Sequence, residues 1–304
     1  MAPYYRFSEY LKEKFGCRVH KITVDAGFTC PNIDGSLSKS GCIFCDNYSF
    51  SPPVRAKNIP LTEQIEDGMR YGKKRYNAKK FIVYFQPYSN THAPPDILKE
   101  KYDIIKNFSD VVGISIGTRP DCVDEEKLSL IQNYTDNYDV WIEYGLQSIR
   151  DKTLKTINRN HTYSAFLKAV EMTRNKGIKI CAHVIIGLPE ETERDMIETA
   201  KECARIKLDG IKIHPLYIVK GTSLEKMFLE GKHTPLTIEE YTGITSRFIG
   251  HLWEKTVIHR ITADCPAELL IAPVWVKEKD ALLHLIEKRM AEENISQGIY
   301  NQPQ

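Results

Sequence analysis

The chain has 304 residues, 42% hydrophobic and 27% charged, a globular balance that excludes a disordered or fibrous protein. Forty-two Lys and Arg against 40 Asp and Glu leave a net charge of +2, which excludes a globally basic nucleic-acid binder though not a local basic patch. No apolar run approaches the roughly 18 residues of a membrane span, and the opening MAPYYRFSEYLKEKFG lacks a signal-peptide core, so a soluble cytoplasmic protein with no membrane partner is expected.

After an N-terminal segment, 1–17, short Ile- and Val-rich runs bounded by Gly or Pro predict strands at Val19–Ala26, Lys80–Gln86, Val111–Gly117, Val140–Leu146, Lys179–Ile186 and Gly210–Tyr217. Amphipathic stretches predict helices at Leu61–Arg75, Ala93–Asn107, Asp124–Tyr134, Tyr163–Lys176 and Glu191–Lys207, with Gly177 stopping the fourth. Six βα units in series imply a mostly parallel α/β sheet, either open or partly closed into a barrel. In both architectures ligands gather at the C-terminal ends of the strands. A helix at Ile238–Lys255 completes a core spanning 18–256. A strand at Val257–Thr262 and a charged helix at Val276–Asn294 form a C-terminal extension, 257–304, with a frayed polar tail.

Eight cysteines without a signal peptide fit a reducing compartment and need a local explanation. Cys30, Cys42 and Cys45 form Cys-x11-Cys-x2-Cys in the Gly- and Ser-rich loop after the first strand, where three thiolates can converge on one metal centre. Zinc asks for a fourth ligand, for which Asp46, His20 and His92 are the candidates, none at a standard spacing. Three cysteines and no fourth is the composition of an iron–sulfur cluster with one open iron. Spacing alone leaves the two metals equally open, with buried, inert cysteines as a lesser third reading. Cys17, Cys122, Cys181, Cys203 and Cys265 are scattered and read as small buried residues.

That loop in a six-unit βα chain resembles the radical S-adenosylmethionine superfamily, whose three-cysteine loop follows strand one of a partial (β/α)6, TIM-like barrel. The usual spacing there is Cys-x3-Cys-x2-Cys, and the longer first gap resembles the YhcC/YtqA-type group and the Elongator catalytic subunit. Gln86-Pro87-Tyr88-Ser89-Asn90-Thr91 stands where the superfamily keeps a Gly-Gly-Glu segment for the methionyl amino group, so Gln86 and Tyr88 would substitute for the missing Glu. Gly117-Thr118-Arg119-Pro120-Asp121 resembles an Elongator-type segment with Gly in place of the Glu before the Thr. Gln147 on strand four, with Arg159 twelve residues on, matches a spacing in coproporphyrinogen-dehydrogenase-like members, where both contact S-adenosylmethionine. Gly187-Leu188-Pro189 resembles the turn beneath the adenine.

The resemblance implies a [4Fe–4S] cluster on the three cysteines, S-adenosylmethionine at the open iron, and a 5′-deoxyadenosyl radical. It also implies an electron donor such as flavodoxin or ferredoxin. Charge-assisted bonding makes Arg159 a candidate clamp for the methionyl carboxylate. Because the radical abstracts hydrogen unselectively, a lid from Ser36–Ser40 or the C-terminal extension is expected. Glu143, inward if Tyr144 points out, is a candidate for substrate chemistry, as are His183 and His214. Cys265, within Asp264-Cys265-Pro266, is a candidate hydrogen-atom donor. Tyr84, Tyr88, Tyr138 and Tyr144 read as sheet packing.

For the substrate, Lys73-Lys74-Arg75 with Lys79-Lys80 offers a local basic run that reads either as a phosphate contact or as a solvated helix end, and the sequence pI is about 8.0. The Elongator- and YtqA-type resemblance implies tRNA, with wobble 5-carboxymethylaminomethyl-(2-thio)uridine converted to the 5-aminomethyl form by hydrogen abstraction beside nitrogen, oxidation and hydrolysis. The chain leaves no room for an acetyltransferase domain, so acetyl transfer is not expected. A radical enzyme acting on a metabolite or protein is the alternative, and a zinc-binding module without catalysis is the third reading.

Overall fold

The computed structural model describes residues 2–46 and 59–301. In chain order these form α1 (Phe7–Phe15), β1 (Val19–Val24), α2 (Leu61–Tyr76), β2 (Lys80–Phe85), α3 (Pro95–Asp103), β3 (Val111–Thr118), α4 (Glu125–Gln132), β4 (Asp139–Gln147), α5 (Asp151–Thr156) and α6 (Tyr163–Thr173). There follow β5 (Lys179–Ile186), α7 (Glu193–Arg205), β6 (Gly210–Pro215), β7 (Ile218–Val219), α8 (Ser223–Leu229), α9 (Ile238–Gly250), β8 (Val257–Arg260), β9 (Leu270–Ala272) and α10 (Lys279–Glu292). The six predicted strands are present: β5 has the expected bounds, β1, β2 and β6 end one or two residues early, β3 runs one residue further, and β4 gains one residue at each end. Helix α6 ends at Thr173, before the expected stop, and Gly177 instead carries a φ of 71° in the connection to β5.

Seven strands make one parallel sheet in the order β1-β2-β3-β4-β5-β6-β8. The strand expected in the C-terminal extension is therefore the sheet's last member, with Val257 opposite Gly210 and Arg260 opposite Lys212. The N-terminal segment closes the same edge, where the Ile258 amide donates to the Tyr5 carbonyl at 2.8 Å. Helix α1 was not anticipated, since nine residues are too few for a stable isolated helix. It is held by tertiary packing: the rings of Phe7 and Tyr10 stand edge-on to Trp141 at 5.9 and 5.6 Å, and the Tyr10 hydroxyl donates to Asp139 at 2.9 Å.

The two faces of the sheet divide the labour. Outward residues such as Val83, Phe85, Ile114, Ile116, Ile142, Tyr144, Val184 and Ile213 are buried under the helices and form the main core. The Tyr144 hydroxyl shares a 2.7 Å hydrogen bond with Thr173 on α6, which fixes it on this outer face and turns Glu143 inward, because side chains alternate along a strand. Inward residues from β1 to β8 line a single cavity of about 520 Å³, so the sheet is curled into a partial barrel. No described helix is long and apolar enough to cross a membrane.

Candidate functional site

The cysteine loop is tied down along its length. The Asp34 amide donates to the Cys30 carbonyl at 3.0 Å, Gly41 to Asn32 at 2.8 Å, and Cys45 to Cys42 at 3.0 Å. Ile43 is pinned on both sides, its amide to Ile157 at 3.1 Å and its carbonyl to the Leu224 amide at 2.8 Å. Ser36–Ser40, an expected lid, folds back here, with the Leu37 amide on Pro31 at 2.8 Å and the Asn158 amide group on Ser40 at 3.0 Å. Cys30, Cys42 and Cys45 all line the cavity. Burial, then the neighbouring Cys42 and Cys30, push the Cys45 thiol up.

Around them stand the residues expected to hold S-adenosylmethionine. Gln86, Tyr88, Gln147 and Arg159 line the same cavity. Arg159 is buried, donating to the Gly145 carbonyl at 2.9 Å, to His161 at 2.9 Å and to the Cys42 sulfur at 3.6 Å. Its backbone carbonyl is held by Arg119 at 2.9 Å, and Arg119 is itself clamped by Asp121. Tyr88 and Gln147 adopt φ values of 66° and 70°, a region that costs non-glycine residues energy and clusters at functional sites. At the β4–β5 bulge a Cβ on Gly145 would collide with Arg159 and meet Gln147 Nε2 at 2.8 Å. Gly145→Ala is thus expected to displace both side chains and weaken S-adenosylmethionine binding at least about tenfold, with the fold kept; equilibrium dialysis against the labelled compound checks it.

Gly117, in place of an Elongator-type Glu, packs against carbonyls of its neighbours, where a Cβ would lie 3.2 Å from the Phe85 oxygen. Gly187 and Leu188 do not line the cavity. The Gly187 amide donates to Met196 Sδ at 3.2 Å, and Leu188 packs in a small cluster with Leu154, Ile157 and Leu216. Cys265 is also outside the lining, its thiol pushed up to about 11 by burial and then by Asp46.

Deeper in the barrel lies a polar network that sequence reasoning found only in part. The Glu143 carboxylate is fully buried and accepts from Lys21 Nζ at 2.5 Å, His183 Nε2 at 2.7 Å, Ser115 Oγ at 2.5 Å and Lys212 Nζ. Burial pushes its pKa up, but Lys21 and Lys212 outweigh burial and hold it well below the usual carboxylate range. Burial, only partly offset by Glu143, brings Lys212 down to about 8. Tyr84, expected to be packing, faces inward with Lys21 and Lys212 Nζ 4.3 and 4.1 Å from its ring centroid. Lys212 had one sequence signal, a lone lysine between isoleucines in a buried parallel strand, whereas Lys21 in VHKITV had none.

Burial, then the Lys212 charge, lowers His183 from 6.5 to about 4. Between those values the unfolded chain binds the proton that the folded chain refuses, so stability falls as pH falls through this window. Thermal unfolding midpoints are expected to drop from about pH 6.5 to about pH 4, with a shallower fall in His183→Gln.

The basic run falls elsewhere. Lys73, Lys74 and Arg75 end α2 and Lys80 begins β2, so the run lies at the N-terminal rim of the parallel sheet, opposite the cysteine loop that follows β1. Lys73 is also paired with Asp110 at 2.8 Å.

The donor set fits a [4Fe–4S] cluster better than zinc. Among the described residues, the grouping whose ligand atoms all lie within 4.8 Å of one another is Glu143, Cys181 and His183, and the three loop cysteines are not gathered that closely. Tetrahedral zinc thiolates need sulfurs about 3.8 Å apart, whereas a cubane spreads its ligands wider. His20, stacked on Tyr76, His92, bonded to Asp34 at 3.0 Å, and Asp46 do not line the cavity that the three cysteines face. N–H donors from Asn32 at 3.4 Å and from Arg159 reach the Cys42 sulfur, the kind of hydrogen bonding that tunes cluster potentials.

A three-cysteine loop after the first strand of a partial parallel barrel, facing one cavity, is the architecture of a radical S-adenosylmethionine enzyme. Residues 39–203 match the Radical SAM superfamily and residues 208–292 the Radical_SAM C-terminal domain, and the chain belongs to that superfamily, which uses a [4Fe–4S] cluster and S-adenosylmethionine. It is 38% identical to a Methanocaldococcus jannaschii protein over 96% of this chain and 91% of that one. It is 36% identical to YtqA of Bacillus subtilis, over 98% and 93%. A tRNA uridine(34) acetyltransferase of Dehalococcoides mccartyi is 30% identical over 59% of this chain and 39% of its own length. The fold is also that of the archaeal Elp3 of Methanocaldococcus infernus, with a TM-score of 0.71 at 20% identity, covering 92% of this chain and 64% of that one.

Proposed function

We propose that this radical S-adenosylmethionine protein modifies tRNA at the wobble uridine, converting 5-carboxymethylaminomethyl-(2-thio)uridine to its 5-aminomethyl form. The observation that carries this reading is the similarity, over 181 residues, to a protein named for uridine 34 of tRNA. When bound together, the cluster and S-adenosylmethionine supply a 5′-deoxyadenosyl radical that takes a hydrogen atom from substrate. Cys30, Cys42 and Cys45 hold the cluster. Arg159 and Gln147 orient the methionyl carboxylate, and Gln86 and Tyr88 receive the amino group. Gly187 and Leu188 support this end from behind the lining. Trp141, Phe7 and the strand side chains around them close the floor to water, which limits quenching of a reactive intermediate. Reduction requires an electron-donor protein.

Mass spectrometry of nucleosides from tRNA of cells with and without the gene tests the reading. Accumulation of the carboxymethylaminomethyl nucleoside in the deletion is expected. An unchanged nucleoside profile would remove tRNA as substrate and leave a radical enzyme acting on a small molecule or protein.

A further inference from the structure

Deep in the barrel the charges do not balance. Lys21 and Lys212 reach in from β1 and β6 with side-chain exposures of 18% and 10%, and share one carboxylate, Glu143, which is 0% exposed. Each ammonium has three N–H donors, and each is given one acceptor here, a different oxygen of Glu143. Among the described residues the neighbours supply no second anion. His183, His214 and His259 are held neutral by burial, Cys181 stays a thiol, and Arg260 adds a further cation whose partner at the rim, Asp264, is shared with Lys279. A buried charge without a counter-ion is costly, so the pocket is built to receive one.

A second observation points into the same space. Both ring nitrogens of His259 are buried without a hydrogen-bond partner, although the ring is fixed by stacking on Phe7 with centroids 3.9 Å apart. His259, Lys21 and Lys212 all line the cavity that holds the cysteines at its other end. A metal ion on Glu143, Cys181 and His183 is the competing occupant, since their ligand atoms lie within 4.8 Å of one another. Two ammonium groups already on that carboxylate repel a cation and attract an anion.

We propose that Lys21, Lys212 and His259 form a seat for a carboxylate of the substrate, with Glu143 as the positioning residue that holds the two lysines apart. The two lysines and Glu143 together carry one excess positive charge, which matches a monoanion and favours a carboxylate over a phosphate dianion. Glu143 lies four residues before Gln147 on β4, about 13 Å along the strand. A substrate anchored by its carboxylate therefore presents the carbons next to it toward the cofactor end. The inference rests on the cavity being the substrate chamber, as proposed above, and does not require that the carboxylate belong to tRNA.

Ligand-observed NMR on the anaerobically reconstituted holoprotein with S-adenosylmethionine tests it, using N-acetylglycine, N-acetylglycinamide and inorganic phosphate as probes. N-acetylglycine is expected to bind at least about tenfold more tightly than the amide or phosphate. Lys21→Met and Lys212→Met are each expected to lose about tenfold or more of that binding while folding normally, because each leaves a neutral lysine–carboxylate pair behind. His259→Phe, which keeps the stacking on Phe7, should weaken binding severalfold. Equal binding of acid and amide, preference for phosphate, indifference to the lysine substitutions, or no binding overturns the seat. If the acid binds in this way while tRNA nucleosides are unchanged by the deletion, the seat stands and the tRNA reading falls. If the nucleosides change but the acid does not bind, the reverse holds.

Discussion

Replacing Glu143 with Ala is expected to lower the free energy of unfolding by about 3–5 kcal/mol, the cost of removing one partner from a buried ionic cluster. The residue is 1% exposed and satisfies donors from Lys21, Lys212, His183 and Ser115. Without it two ammonium groups face each other over the Tyr84 ring with no counter-ion. Lys212, already brought down to about 8, would shed its proton and limit the loss. Glu143→Gln keeps an acceptor and should cost less. Replacing Lys21, Glu143 and Lys212 together with Met is expected to recover most of the stability, because apolar residues of similar length suit a site walled by Trp141 and Phe7. Urea denaturation of the four proteins checks the order. A small effect of Glu143→Ala would mean that the two lysines are solvated from the cavity and do not depend on Glu143.

Removing one thiol of the loop has the opposite profile. Cys42→Ala is expected to abolish bound iron and the brown chromophore and to cut 5′-deoxyadenosine formation at least about a thousandfold, about 4 kcal/mol of barrier. Its effect on folding should stay near 1 kcal/mol, since the loop is held by backbone bonds from Cys30 to Cys45 and by Asn158 and Ile157 rather than by the sulfur. Cys30→Ala and Cys45→Ala should behave alike. Cys265→Ala and Cys203→Ala, at thiols outside the cavity lining, should retain iron. Iron analysis and absorption spectra of the five variants decide it. Retained iron in Cys42→Ala would place the cluster elsewhere.

The residues that were legible in the sequence are those whose chemistry or spacing is local. Cys30, Cys42 and Cys45 sit within sixteen residues on one loop, and Gln147 and Arg159 lie at a fixed interval after a strand. The strands themselves were visible because a parallel sheet under helices reads as apolar runs. The lysine–glutamate network was not, because it exists only when β1, β4 and β6 curl around a common axis. Nothing local distinguishes Lys21 in VHKITV from an exposed lysine on an edge strand. Helix α1 escaped for a related reason, as its stability comes from Trp141, more than 100 residues away in the chain. The basic run from Lys73 to Lys80 could be read in sequence as a phosphate contact or as a solvated helix end, and the direction of β1 and β2 carries it to the far rim.

The most direct measurement is a single reaction. The reconstituted protein is incubated anaerobically with reductant, S-adenosylmethionine and tRNA from cells lacking the gene, and both 5′-deoxyadenosine and the wobble nucleoside are quantified. The account predicts that 5′-deoxyadenosine and 5-aminomethyl(-2-thio)uridine appear together, in fixed proportion, and that both vanish in Cys42→Ala. Formation of 5′-deoxyadenosine at an unchanged rate with or without tRNA, with the nucleoside intact, would contradict the tRNA assignment. Its absence from a protein carrying a full complement of iron would contradict the radical chemistry itself.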